Sequence, residues 1–241
     1  MAALQPGGQT EKMANILILD NSPRHLGSYW FGKWFRQLGC RVSTRHFQNL
    51  SRQLVLERFS ALVISGSPAS ATEEQPWILR ELELIEQADR LDVPVLGVCF
   101  GSQLLARAYY GKEAVRRCLQ PEFGWHQVKR TSYEDLLFEG MPAQFTSFQY
   151  HTEEVLPQPE MRLLATSDAV VVQAYRVGSR PVWGTQFHFE VTPRAGRDVL
   201  RKTRKVYQPY GFRYDELVAN ARPSEAAPRL FQNFLTSLAR G

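Results

Sequence analysis

Cysteine is scarce in this 241-residue chain, which carries three: Cys40, Cys99 and Cys118. They are too few and too scattered to frame a disulfide scaffold at this length, so the sequence reads as that of a reduced, cytoplasmic protein. Long apolar runs are missing as well. No window approaches the roughly 18 consecutive apolar residues of a membrane-spanning helix, so no membrane partner is expected. Residues 1–13 are polar and glycine-containing, without the apolar stretch of a secretory signal; they read as a disordered leader, with Met13 as an alternative start. There is neither an internal repeat nor a low-complexity linker. The charge excess is also small: 29 Lys and Arg against 24 Asp and Glu leave +5, too little to imply a nucleic-acid partner. Basic residues concentrate once, at Arg194, Arg197, Arg201, Lys202, Arg204 and Lys205. That run is either a solvated helix face or a docking patch for an anionic ligand or acidic partner.

What the chain does have is 44% hydrophobic residues, enough for a sizeable core and too many for disorder. Asn15 to Asp20 is a short apolar run closed by an Asp-Asn-Ser-Pro turn signal. Tyr29 to Leu38 has amphipathic helical spacing, Ala61 to Ile64 is apolar, Trp77 to Ala88 is helical, Val93 to Val98 is a buried strand, and Gln103 to Tyr110 is helical again. Short apolar strands separated by helices imply a parallel sheet covered on both faces. After Gly111 the strand-like runs crowd together (125–129, 145–149, 169–175 and 182–187) and are expected to extend the sheet or form a β-rich flank. Pro193 marks a helix start, and Phe231, Phe234 and Leu235 a last helix. Residues 14–241 thus read as one three-layer α/β domain with a mostly parallel central sheet flanked by helices.

The most informative stretch is Gly97-Val98-Cys99-Phe100-Gly101, where a strand runs into a helix. With three cysteines and sixteen glycines, chance produces Gly-x-Cys-x-Gly 3 × (16/241)², about 0.013, times. The context matches a nucleophile elbow, in which the reactive residue stands on a strained strand-to-helix turn. Flanking glycines admit close backbone approach, and the N–H groups of the following helix favour a thiolate. Cys40 and Cys118 lack such surroundings and read as structural.

A cysteine nucleophile needs a base, and the base a group that orients it. Two histidines carry Glu two residues on: His151-x-Glu153 and His188-x-Glu190. Context favours His188, delivered to the end of the strand-like run Val182 to Phe187, with Glu190 on the same side. His151 follows Phe148-Gln149-Tyr150 and precedes two acids, as on a loop; it remains the alternative. Ser65-Gly66-Ser67-Pro68, a small-residue turn after a strand, is placed to offer backbone N–H groups to an oxyanion.

These pieces, in this order, resemble the class I glutamine amidotransferases with their Cys-His-Glu triad. The similar segments are Ile64 to Pro68, Gly97 to Gln103 and Gly184 to Glu190, with weaker echoes at Phe123-Gly124-Trp125, Phe148 to His151 and Pro228 to Leu235. The nearest resemblance is to the glutaminase domain of GMP synthase and its stand-alone relatives. It implies a flavodoxin-like fold, with Cys99 as nucleophile, His188 as proton relay and Glu190 as its orienter. It further implies oxyanion amides near Gly66 or Ser67 and at Phe100, and substrate contacts at Gln103, Gln149, Tyr150 and His151. No cofactor and no metal is expected. Two departures from the family pattern are Ser67 in place of Gly, and Phe189 in place of Pro, the latter expected to reshape the entrance. With no P-loop and no second domain in view, ammonia from glutamine is expected to pass to a separate synthetase partner. The alternatives are a γ-glutamyl peptidase acting on glutathione-like conjugates, and a non-catalytic binding relative that uses the basic segment.

Overall fold

The protein is seen here in a computed structural model that describes residues 13–50 and 54–238; most of the expected leader, residues 1–12, lies outside them. The chain runs β1 (Asn15–Asp20), α1 (Leu26–Gln37), β2 (Arg41–His46), β3 (Ala61–Ile64), α2 (Pro76–Arg90), β4 (Val95–Val98) and α3 (Phe100–Tyr110). It continues through β5 (Val115–Arg130), β6 (Gln144–Val155), β7 (Met161–Thr166), β8 (Ala174–Val177) and β9 (Val182–Thr185) to α4 (Pro193–Lys202), α5 (Arg204–Tyr207), α6 (Tyr214–Ala219) and α7 (Ala227–Leu238). Among the described residues no helix is long and apolar enough to cross a membrane.

Among the described residues all nine strands join one sheet in the order β2-β1-β3-β4-β9-β8-β7-β5-β6. Pairing is parallel from β2 to β9 and antiparallel from β9 to β6. The later strands therefore extend the sheet, and they turn antiparallel because their connections are too short for a crossover helix. Only Ala174 and Tyr175 of the expected strand 169–175 belong to β8. The residues before them form a turn, closed where the Ser167 N–H donates to Val170 O at 2.9 Å. β7, with an apolar run of only Leu163-Leu164-Ala165, is not among the strands expected from the sequence.

β1, β3, β4 and β9 are buried almost throughout, as strands covered on two faces must be. One face packs Ile16, Ile18 and Trp183 against Phe31 and Phe35 of α1 and Phe231 and Phe234 of α7. The other packs Leu17, Leu19 and Ile64 against Ile78 and Leu84 of α2 and Leu104 of α3. A third cluster forms where α4 to α6 cover the β5–β6 hairpin, around Phe123, Trp125, Phe148, Leu200, Tyr207 and Leu217.

α1 begins three residues earlier than its apolar spacing suggests, because the turn after β1 caps it. Ser22 Oγ accepts from the Leu26 N–H at 2.7 Å, and Asp20 Oδ2 accepts from the Ser28 N–H at 2.8 Å. Burial favours the neutral acid at Asp20, but the hydrogen bonds from Ser22 and Ser28 hold its carboxyl below its ordinary value. α3 starts directly after Cys99. The residue sits at φ 53°, ψ −109°, a backbone conformation that L side chains rarely adopt. The two glycines of the motif explain how the turn closes: a Cβ on Gly97 would lie 2.5 Å from the Gly101 carbonyl carbon, and one on Gly101 would collide with Ile64 O.

Glu81 of α2 is fully buried and receives the Asn21 side-chain N–H at 2.9 Å. Burial pushes its carboxyl from 4.5 up to about 8, against the opposing pull of that hydrogen bond. Folded Glu81 thus keeps a proton that the unfolded chain releases near 4.5, and this group's contribution to stability declines as pH climbs from 4.5 to about 8. Glu81→Gln is expected to flatten that decline, measured as a smaller difference in urea midpoint between about pH 5 and about pH 8.5. A second prediction concerns the turn. Glycine normally leaves a site about 0.5–1 kcal/mol less stable than alanine. At position 99 relief of backbone strain of order 1–3 kcal/mol offsets this, so Cys99→Gly should unfold at a urea midpoint no lower than Cys99→Ala.

Candidate active site

Cys99 stands between β4 and α3 at the C-terminal edge of the parallel strands, where ligands gather in open α/β sheets. Its N–H donates to Thr185 O of β9 at 2.7 Å, fixing the turn to the neighbouring strand. Its side chain opens on a cleft of about 470 Å³. His188 follows the end of β9, and its N–H donates to Phe148 O at 2.8 Å. That bond forms an isolated bridge to β6. Although β6 lies at the far edge of the sheet in hydrogen-bond order, it returns over the site. Cys99 Sγ is 3.8 Å from Tyr150 O, and Gln103 Nε2 donates to Glu153 O at 3.0 Å.

His188 Nδ1 donates to Glu190 Oε1 at 2.7 Å, and Cys99 lies near enough to act on the charge of the imidazole. Burial disfavours the imidazolium, yet Glu190 and Cys99 outweigh it and hold the His188 pKa well above the ordinary histidine value. Glu190 is buried, and its second oxygen, Oε2, is without a partner among the described residues. The Ser65–Pro68 turn runs alongside: a Cβ at Gly66 would lie 2.9 Å from His188 Cε1 and 3.5 Å from Cys99 Cβ. Three separate stretches of sequence therefore meet at one point. Ser67 lines the same cleft and is not among the described non-glycine residues at positive φ, so serine stands there without backbone strain.

The remaining expected residues divide. Gln103 and Tyr150 line the cleft. His151 lines it too, but it lies within β6 and not on a loop. Its Nε2 is 3.2 Å from Glu122 Oε2, and its Nδ1 is 3.5 Å from Cys118 Sγ and 3.2 Å from Glu153 O. Cys118 thus has a His–Glu pair of its own, a neighbourhood its sequence surroundings did not reveal. Burial, reinforced by Glu154 and Glu122, pushes its thiol up, away from the reactive thiolate. Cys40 is a buried core residue.

Gln149 does not line the cleft: its amide turns inward and donates to Gln173 Oε1 at 2.8 Å. The Phe100 ring likewise leaves the site for the core beside Trp77, so only its backbone N–H, in the first turn of α3, faces the nucleophile's turn. Phe189 does not reshape the entrance. It is buried against Phe31 and Phe231, on the side of the chain opposite the cleft.

Two further groups line the cleft, and of their members the sequence pointed only to Glu153, as the partner of His151. One is polar: Ser70, Arg117 and Glu153, with Ser70 Oγ donating to Glu153 Oε2 at 3.0 Å and Arg117 opposite Glu153 in the β5–β6 register. The other is apolar: Val191, Ala195, Val199 and Val206. The spacing of Ala195, Val199 and Thr203 puts them on one helical stripe, a signal obscured by the interleaved basic residues, which are exposed. No group of three or more His, Cys, Asp or Glu among the described residues is arranged to hold a metal ion.

Known proteins share both this sequence pattern and this fold. The sequence model described as "Glutamine amidotransferase class-I" matches residues 28–205. The glutamine-hydrolysing GMP synthase subunit of Thermoplasma acidophilum is 31% identical over 192 residues, 78% of this chain and 90% of the relative. Its counterpart from Methanopyrus kandleri is 35% identical over 198 residues, 79% of this chain and 97% of the relative. A glutamine amidotransferase from Thermotoga maritima shares the fold, with a TM-score of 0.78 at 23% identity, covering 95% of this chain and 97% of the other. With a family match spanning most of its length and relatives matched nearly end to end, the chain belongs to the class I glutamine amidotransferases.

Proposed function

We propose that this protein hydrolyses the side-chain amide of glutamine through a γ-glutamyl thioester at Cys99 and releases ammonia to a separate synthetase protein. The observation that carries this reading is the convergence of Cys99, on its strained turn, with a His188 that is hydrogen-bonded to Glu190. A single domain, residues 14–241, carries the chemistry, and a reducing cytoplasmic setting keeps the sulfur available. The names of the relatives, glutamine-hydrolysing subunits of GMP synthase, support both the substrate and the separate partner.

In the first half-reaction the Cys99 thiolate adds to the γ-carbonyl carbon. Charge builds on the carbonyl oxygen, opposite the backbone N–H groups of Gly66 or Ser67 and Phe100. His188, held protonated by Glu190, gives its proton to the departing nitrogen, and the C–N bond breaks. In the second half-reaction His188 takes a proton from water, which attacks the thioester and frees glutamate and Cys99. Glutamine also carries an ammonium and a carboxylate at its α-carbon. The polar side of the cleft presents groups of both signs, Glu73 and Glu153 with Arg117, which suits that zwitterion. Gln103, held by Glu153 O and by Gln186 Oε1 at 3.2 Å, braces this side.

Glutamine-dependent ammonia release by the purified protein should fall on the order of 10⁴-fold or more in Cys99→Ala and nearly as far in His188→Ala, because the groups act as a unit. Glu190→Gln should suffer a loss on the order of 10²-fold smaller. Retention of full activity by Cys99→Ala, or labelling of Cys118 in place of Cys99 by a γ-glutamyl-mimicking electrophile, would overturn the assignment. Glu190 also raises the His188 pKa, so the surviving activity of Glu190→Gln should lose its alkaline limb at a lower pH than the parent's, read from kcat/KM against pH.

A further inference from the structure

Resting on the reading that Cys99 and His188 cleave a γ-glutamyl amide, the geometry points to a second substrate class: γ-glutamyl amides whose amine is apolar or aromatic. The cleft has two unlike sides. Ser70, Gln103, Arg117 and Glu153 form the polar side, and Gln103 stands one helical turn beyond Cys99. The other side adjoins His188. There the centroid of the Phe148 ring lies 6.1 Å from that of the imidazole, and Val191 follows the orienting Glu190. α4 presses against Phe148 so closely that a Cβ on Gly196 would meet its ring at 3.0 Å. This brings Ala195 and Val199 to the wall of the cleft, with Val206 of α5 beyond them.

Proton donation fixes which side receives which end of a substrate. The amine departs toward the imidazole that protonates it, so the leaving group emerges against Phe148, Val191, Ala195 and Val199, while the glutamyl end points to Arg117 and Glu153. Ammonia has no apolar surface to offer such a wall. Nor does the local core account for all of it: Val191 and Val199 are only partly buried against the third cluster and keep surface toward the cleft, and Val206 is 40% exposed. An amine carrying a phenyl or branched alkyl group would cover that surface. Its hydrolysis follows the steps already given: the Cys99 thiolate forms the C–S bond, the C–N bond breaks with proton transfer from His188, the apolar amine leaves, and water resolves the thioester to glutamate.

The test compares γ-glutamyl-phenethylamide with γ-glutamyl-ethylamide, two alkylamides of similar amine basicity that differ mainly in apolar surface, with glutamine assayed alongside. The expected kcat/KM for the phenethylamide is about 10- to 100-fold above that for the ethylamide, as burial of one phenyl group provides. Ala195→Phe, which fills the wall, should bring that ratio close to one, the two amides being compared within the same variant so that any effect common to all substrates cancels. Val199→Thr, nearly isosteric and polar, should reduce the ratio in the same sense, and it serves if the larger residue prevents folding. A ratio near one in the parent, or a ratio that both variants leave unchanged, overturns the inference while the glutaminase reading stands. Failure of the parent to hydrolyse glutamine and both amides overturns the two together.

Discussion

The turn at Cys99 is the constraint on which the rest of the site depends. Its backbone lies at φ 53°, ψ −109°, and the conformation persists because three neighbours hold it. Thr185 O of β9 takes the Cys99 N–H, Gly101 sits against Ile64 O of β3, and Gly97 sits against Gly101. The strands on either side of β4 thus define where the sulfur stands, and the same strands deliver the other parts of the site. β3 leads into the Gly66 turn, and β9 leads into His188. A nucleophile, an imidazole and a pair of backbone amides converge because parallel strands end together at one edge of the sheet.

The second constraint is the return of the β5–β6 hairpin over that edge. β6 contributes Phe148, whose carbonyl anchors His188, together with Tyr150 and Glu153, whose carbonyls approach Cys99 and Gln103. It therefore closes the cleft with two kinds of surface. Strand alternation sends the rings of Phe148 and Tyr150 toward α4 and Gln149 into the interior, while Glu153 meets Ser70 on the far side. The α4–α6 segment then completes an apolar wall beside the histidine. A cleft that is polar at one end and apolar at the other discriminates by orientation as well as by affinity, because a γ-glutamyl compound entering backwards would leave its charged α-carbon groups against valines.

Two Cys–His–Glu groupings lie within this small region, and their surroundings set them apart. Cys99 begins a helix and faces a histidine whose charge is upheld by a carboxylate. Cys118 lies among Glu154, Glu122 and Glu153, so loss of its proton would place a further negative charge among carboxylates. Residue type alone does not distinguish a reactive sulfur from an inert one; the sign of the neighbouring charge does.

The sequence by itself determined the strand–turn–helix at Gly97 to Gly101, the delivery of His188 at the end of a strand with Glu190 beside it, and the α/β order of the first half. These features are local: glycine spacing, apolar runs and side-chain alternation act over a few residues, so they can be read without knowing what lies across the sheet. The antiparallel half was harder, since the apolar run of β7 is only Leu163-Leu164-Ala165 and residues 167–173 turn where their valines suggested a strand. Only the tertiary structure decided that Gln149 and Phe189 face away from the cleft, that Arg117 and Glu153 line it, and that the basic segment hides an apolar stripe. Each of those outcomes depends on which distant surface covers a residue, and burial between segments a hundred residues apart is a property of the packed molecule.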